Sequence, residues 1–339
     1  MKIKRMGIDL AKNIFQLHGV DAHEKVVVRK QLKRAQMLTW FVNQTPMLIG
    51  MEACGGAHYW ARELSKLGHT VKLMAPQHVK PYVKSNKNDK NDAAAICEAV
   101  SRPTMRFVNH KTIEQQDMQC VHRVRERLIR ARTALTNEVR GLLAEYGIVI
   151  AHTGIRAIRQ AIPLILEDAA NGLTANLRAL LHGIGEELRV IDQRIQAFDN
   201  TIQRHAQHDE RAKQIMQLDG IGPIIASATV TAIGTGQQFK NGREFAAWIG
   251  LVPRQHSTGG KEKLGHISKR GDKRLRTLLI HGARAVIKHS AHKTDARSQW
   301  LNALITRRNK NIATVALANK NARIIWAMLT RQEDYRRAA

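Results

Sequence analysis

Over roughly the first 105 residues, short apolar runs alternate with polar breaks and helical stretches, as in an α/β layer structure. Lys4 to Asp9 and Phe15 to Val20 are apolar runs separated by a turn at Ala11-Lys12-Asn13. Asp21-Ala22-His23-Glu24 then leads into Val26-Val27-Val28, which predicts a three-stranded meander. A helical stretch near Ala35 to Asn43 precedes a fourth strand, Met47 to Met51, that ends in Glu52. Gly55-Gly56 breaks the chain, Tyr59 to Leu67 reads as a helix stopped by Gly68, and Val71 to Met74 reads as a fifth strand.

From about Thr112 to Gln207 the period changes to that of long helices. Val124, Leu128, Ala131, Leu135, Val139 and Leu142 recur at three- and four-residue steps, with Arg123, Arg125, Arg127, Arg130 and Arg132 among them. Leu188, Ile191, Ile195, Phe198 and Ile202 repeat the spacing after Gly183. These are two arms of either a helical hairpin or an intermolecular coiled coil, with a shorter helical piece between them. The remainder opens on Leu218-Asp219-Gly220-Ile221-Gly222-Pro223 and is helical again around Phe245, Trp248 and Ile249. It turns densely basic from Arg254 to Arg276 and closes on amphipathic helix that includes Ile324 to Leu329. Three domains are expected: an α/β domain over 1–108, a helical coiled-coil region over 109–208 and an all-α domain over 209–339.

Charge narrows the class of partner. Lys and Arg total 55 against 28 Asp and Glu, a formal net charge of +27, and such a surface attracts polyanions, nucleic acid foremost. A membrane surface competes for a basic chain, but no run of about 18 apolar residues exists to span a bilayer. No apolar signal segment follows Met1, so the chain reads as cytoplasmic. Cys54, Cys97 and Cys120 are odd in number and lack CxxC spacing, which indicates neither a disulfide framework nor a zinc site. An aromatic content of 4% argues against an extended base-stacking platform.

Three strands, helix, strand, helix, strand is the order of the ribonuclease H-like fold, in which strands one and four are neighbours. Asp9 after the first strand and Glu52 at the end of the fourth would therefore converge. Asp89 and Asp92 lie in Asn86-Lys87-Asn88-Asp89-Lys90-Asn91-Asp92-Ala93, where an i, i+3 pair on an opening helical turn projects both carboxylates to one side. Converging acids repel unless cations occupy the site, and two magnesium ions about 4 Å apart bridging a phosphate are the chemical reason to assemble them. A helix-start acid can equally be a cap or a dipole partner, which fits Asp89 or Asp92 taken alone. Asp9 has no such structural duty.

Met6-Gly7-Ile8-Asp9-Leu10-Ala11-Lys12, Gly50-Met51-Glu52-Ala53-Cys54-Gly55-Gly56 and the Asn86 to Ala93 segment resemble the three acidic motifs of the DEDD transposases, the insertion-sequence one-ten family. Leu218 to Gly222 and Phe245 to Pro253 resemble that family's C-terminal transposase region, so the likeness runs over essentially the whole chain. The resemblance implies a RuvC-like N-terminal domain and Asp9, Glu52, Asp89 and Asp92 as ligands of Mg2+ (or Mn2+). It also implies donor and target DNA as substrates, a bridge RNA as guide, and a homodimer or homotetramer in a bacterial, nucleoid-associated setting.

Arg254, Lys261, Lys263, Lys269, Arg270, Lys273, Arg274 and Arg276 are opposed only by Glu262 and Asp272, and Gly259-Gly260, Gly265 and Gly271 punctuate the stretch. Part of it reads as loop whose amides can approach phosphate, and the whole as a nucleic-acid-binding surface. By resemblance, Ser257 matches the family's nucleophilic serine, with Ser268 and Thr258 as fallback hydroxyls. His256 adjoins it, but sequence neighbours need not be spatial partners. Gly220-Ile221-Gly222 resembles a helix-hairpin-helix turn or is an ordinary interhelical turn. Two rivals stand beside the covalent recombinase: a RuvC-like nuclease using metal-activated water, and a non-catalytic basic protein whose acids are caps.

Overall fold

The computed structural model describes residues 2–84 and 88–336, and the chain divides between Glu114 and Gln115 into two compact units. Asn86 and Lys87 of the third acidic motif lie outside the described residues.

The first unit holds a six-stranded sheet in the order β3-β2-β1-β4-β5-β6. Strands β1 (Arg5–Leu10), β2 (Ile14–Val20) and β3 (Val26–Lys33) form the antiparallel meander, and β4 (Leu48–Glu52) and β5 (Thr70–Met74) run parallel to β1. The pattern did not reveal the short edge strand β6 (Phe107–Val108), because two residues are too few to show a period. Alternation along the strands splits the residues between two layers. Met6, Ile8, Ile49 and Met51 pack with Phe41 of α1 (Met37–Val42) and with Trp60 and Leu64 of α2 (Ala57–Lys66). After a short α3 (Pro76–Val79), the opposite face receives α4 (Asp89–Ala99), whose Ala95, Ile96 and Ala99 join Met74 and Val79.

Two glycines set the depth of α4. Gly7 and Gly50 pair across β1 and β4, and a Cβ on Gly7 would lie 2.2 Å from the Ala93 carbonyl oxygen and 2.4 Å from the Cys97 nitrogen. A Cβ on Gly50 would lie 2.8 Å from Val100. The absent side chains make a trough in which helix backbone touches strand backbone.

In the second unit, α5 (Ile113–Ala144) and α7 (Ala175–His208) pack along each other through Leu128, Ile191 and Ile195, and α6 (Ile155–Glu167) adds Ile158 and Ile162 against Val139, Leu181 and Leu188. The two arms thus pair within one chain. Two of the arginines crowding α5 serve this pairing, since Arg125 Nε lies 2.5 Å from Asp199 and Arg132 Nη1 2.9 Å from Asp192. Helices α8 (Glu210–Met216), α9 (Pro223–Ile233), α10 (Gly242–Ile249), α11 (Lys273–Lys288), α12 (Ala296–Arg307) and α13 (Lys310–Arg331) share a core that includes Leu218, Ile225, Phe245, Leu279, Leu317 and Ile325. The helical middle and the C-terminal helices, expected as separate domains, fall in this one unit.

His122 of α5 is 1% exposed, and its Nε2 lies 2.9 Å from the hydroxyl of the equally buried Ser227 on α9. The pair has the form of a nucleophile and its base but is closed to substrate, so it works as an interhelical tie. Burial first, then Arg274, Arg125 and His205, lowers the imidazole from 6.5 to about 3.

Two outcomes are expected. Gly7→Ala drives a methyl into α4 and should cost about 1–3 kcal/mol or more, read as a lowered urea midpoint; an unchanged midpoint would mean that α4 does not rest on β1 as described. The His122 contribution is complete above pH 6.5 and is lost as pH falls toward about 3, because the unfolded chain takes up the proton first. The difference in urea midpoint between wild type and His122→Gln should therefore shrink through that window; a difference independent of pH contradicts a buried neutral imidazole.

Candidate active site

The acids meet where the Gly7 trough dictates. Asp9 is two residues beyond Gly7 on the same face of β1, about 6.6 Å along the strand, and Asp89 is four residues before Ala93, about 6 Å along the helix. With α4 running antiparallel to β1, the two steps match. Asp9, Asp89 and Asp92 each place a carboxylate oxygen within 4.8 Å of the others. Asp9 and Asp92 are half-buried and Asp89 is exposed. The cap of α4 is Asn88, whose side chain accepts from the Asn91 amide at 2.8 Å, so neither aspartate is spent as the N-cap.

Glu52 stands outside that trio. It ends β4 one step past the Ile8 and Met51 pair, which sets it beside Asp9 at the C-terminal ends of neighbouring parallel strands. Cys54 senses both acids: burial pushes its thiol up, and the charges of Glu52 and then Asp9 push it further. This half-buried cysteine at the rim was not legible as a site neighbour, because the loop after β4 carries no periodicity. All three cysteines are free thiols. Three carboxylates this close form a hard oxygen donor set that fits a divalent cation such as magnesium.

Ser257 lies in the second unit. The stretch read partly as loop is a β-hairpin, β7 (Pro253–Thr258) and β8 (Lys261–Ile267), turned by Gly259-Gly260 at φ of 56° and 74°. Positive φ at both central residues is what a tight hairpin turn requires. Period-two alternation was hidden because both faces are polar. Almost every side chain of the hairpin is exposed, including Ser257 and Leu264. Ser257 pairs across the ladder with Glu262, and its hydroxyl accepts a hydrogen bond from Gln255 Nε2 at 2.8 Å. His256 pairs with Lys263 and projects to the opposite face, so it is not placed to take the Ser257 proton.

The basic residues divide. Arg254, Lys261, Lys263, Lys269, Arg270 and Lys273 are exposed. Arg274 is partly buried with Nε 3.5 Å from Glu126, and burial lowers its guanidinium. Arg276 departs from the expectation of a nucleic-acid contact: it is 7% exposed and donates from Nη1 to the carbonyls of Ile249 and Arg270 at 2.7 and 2.8 Å. It anchors the base of the hairpin. A solvent-facing Arg and a buried one look alike inside a basic run.

Replacing Lys261, Lys263, Lys269 and Arg270 together by Gln should reduce the log-log salt dependence of duplex DNA binding by up to about 3–4, at roughly 0.9 for each phosphate left without its cation. Arg276→Gln should instead leave that slope alone and cost about 1.5–3 kcal/mol of stability. The converse pattern would exchange their roles.

Comparison with known proteins gives two family matches, "Transposase" of the DEDD insertion-sequence type over residues 6–148 and "Transposase IS116/IS110/IS902 family" over residues 212–299. The chain is 56% identical to a "Probable family 20 transposase" of Pseudomonas aeruginosa, covering 99% of each. It is 49% identical to the "Transposase for insertion sequence element IS1111A" of Coxiella burnetii, covering 98% of this chain and 92% of that one. It is 42% identical to the "Transposase for insertion sequence element IS1328" of Yersinia enterocolitica, covering 96% of each. The mixed α/β unit with its central sheet is consistent with a ribonuclease H-like transposase domain. Among the described residues no helix is long and apolar enough to cross a membrane.

Proposed function

The chain belongs to the IS116/IS110/IS902 transposase family, enzymes that cut and rejoin DNA for an insertion sequence, and on that premise we propose that it does so through a serine nucleophile assisted by divalent metal. The observation that carries the reading is the trio Asp9, Asp89 and Asp92 within 4.8 Å. Glu52 completes the ligand set from β4. Mg2+ or Mn2+ held there would bind the scissile phosphate and offset charge on the attacking and leaving oxygens.

The chain's own groups do the rest. Ser257 Oγ attacks phosphorus; the Oγ–P bond forms as the scissile P–O bond breaks, and the leaving DNA oxygen ends as a hydroxyl carrying the proton that the serine gave up. A hydroxyl from a second DNA end then displaces Oγ and returns the proton, so one phosphodiester replaces another and no nucleotide is consumed. Gln255 orients the serine by donating to Oγ, which leaves the hydroxyl hydrogen free to depart. The exposed basic residues of the hairpin hold phosphates on either side. The family resemblance supports guidance by a bridge RNA and a homodimer or homotetramer in which one subunit's acids meet another's serine.

Incubating the protein with the element's circular junction DNA in magnesium tests the reading. Asp92→Asn should cut at least about 100-fold more slowly while binding DNA nearly as well, because the acids serve chemistry and the lysines and arginines supply affinity. Wild type should give a DNA-linked protein band on a denaturing gel that Ser257→Ala lacks, the link mapping by mass spectrometry between Arg254 and Lys261. An adduct surviving in Ser257→Ala moves the role to Ser268 or Thr258. Metal-dependent cutting with no adduct at any time replaces this mechanism with hydrolysis.

A further inference from the structure

Within the second unit, a cavity of about 740 Å3 lies between the Asp219-Gly220 turn, the start of α12, the α13 face carrying Lys320, and the C-terminal tail. The tail is pinned over it: Gln214 donates to the Glu333 carbonyl at 2.8 Å, Gln217 donates to Asp334 Oδ1 at 2.9 Å, and the Tyr335 amide donates to Gln217 Oε1 at 2.9 Å. The space is many times the roughly 30 Å3 share of one water molecule.

Its cations are short of acceptors. Arg297 donates from Nη2 to Asn321 Oδ1 at 2.6 Å and to the Asp219 carbonyl at 3.3 Å, which fixes the plane of the guanidinium. Arg297 Nε, Arg297 Nη1 and Asn321 Nδ2 are buried with no hydrogen-bond partner, although Asn321 is 0% exposed. Buried donors are almost always satisfied, and three unsatisfied on one hydrogen-bonded pair point to an acceptor that belongs there. Lys320 lies 4.4 Å over the Trp300 ring, and burial followed by the charges of Arg297 and Arg323 lowers its ammonium. Four acids share the lining with Lys293, Arg297, Lys320 and Arg336: Asp295 caps α12, Asp334 accepts from Gln217, Asp219 faces Lys293 at 3.8 Å, and Glu333 lies in the tail, so the positive side of the cavity is the wall that carries Arg297 and Lys320.

We propose that this cavity binds a phosphate group, with Arg297 and Lys320 receiving its oxygens. A guanidinium held in one plane with its Nη1 hydrogens free suits one phosphate oxygen, and a point charge beside it suits another. Two sources carry this chemistry: a phosphodiester of the nucleic acid, seated next to the glycine turn, and free phosphate or a nucleotide. The inference depends neither on the acidic cluster nor on Ser257, and Asp92→Asn should bind phosphate at this cavity as wild type does.

Two measurements on the full chain in metal-free buffer test it. Calorimetric titration with inorganic phosphate should show saturable binding that Lys320→Gln weakens at least about tenfold, by removing the charge while keeping the Arg297–Asn321 tie. Arg297→Gln should abolish it, and its melting temperature reports whether that variant still folds. Duplex DNA binding between about 50 and 200 mM salt then separates the sources. A salt slope reduced by about 0.9 in Lys320→Gln assigns the site to a backbone phosphate; an unchanged slope with phosphate binding weakened assigns it to a free phosphate or nucleotide. No saturable phosphate binding by wild type, or wild-type binding by Lys320→Gln, overturns the proposal. So does a crystal grown in phosphate that shows only water on Arg297.

Discussion

The acidic site depends on one contact, the approach of α4 to bare backbone at Gly7. Side chains at most strand positions hold a packed helix roughly 10 Å from the sheet; here a missing methyl lets carbonyl and amide of the helix reach β1 itself. Depth and phase are fixed together, because the trough formed with Gly50 accepts the helix at one rotation. The aspartates at its N-terminus then land on Asp9. Repulsion among the three carboxylates opposes that arrangement, and burial of Ala95, Ile96 and Ala99 holds it in place. The positive end of the helix, pointing at the same spot, eases the cost.

The second unit distributes its excess charge unequally. Arg125 and Arg132 on α5 tie it to α7, Arg276 supports the hairpin base, and Arg254, Lys261, Lys263, Lys269, Arg270 and Lys273 around Ser257 are left facing solvent. A net charge of +27 therefore overstates the surface available to nucleic acid, since part of it is structural mortar. Lysine holds most of the exposed positions at the hairpin, and arginine, with its several donors and planar fork, holds the positions that bind carbonyls or carboxylates.

Much of the first unit was legible because its central strands β1 and β4 are buried apolar runs and its strands are bounded by turns. Asp9 and Glu52 could be named from their place at strand ends, and Asp89 and Asp92 from helical spacing. That Asp9, Asp89 and Asp92 form the tight trio while Glu52 stands apart was not readable, because it follows from helix depth. The glycine that decides this depth sat in plain view inside the first motif, yet a glycine in a strand reads equally as a bulge. The hairpin was hidden for the opposite reason: with neither face buried, its residues carry no alternation. Arg276 and Arg297 were hidden because a guanidinium satisfied by carbonyls or an amide leaves no trace in a composition.

A two-stranded ribbon with water on both faces has little of its own to keep it folded. Its order is on loan from whatever it leans against. On the proposed serine mechanism, the hydroxyl would be only as well aimed as the surface that seats the ribbon, which would amount to a safety catch on DNA cutting. Accuracy would then be acquired upon docking, together with the substrate, so that reactivity and correct placement would arrive at the same moment.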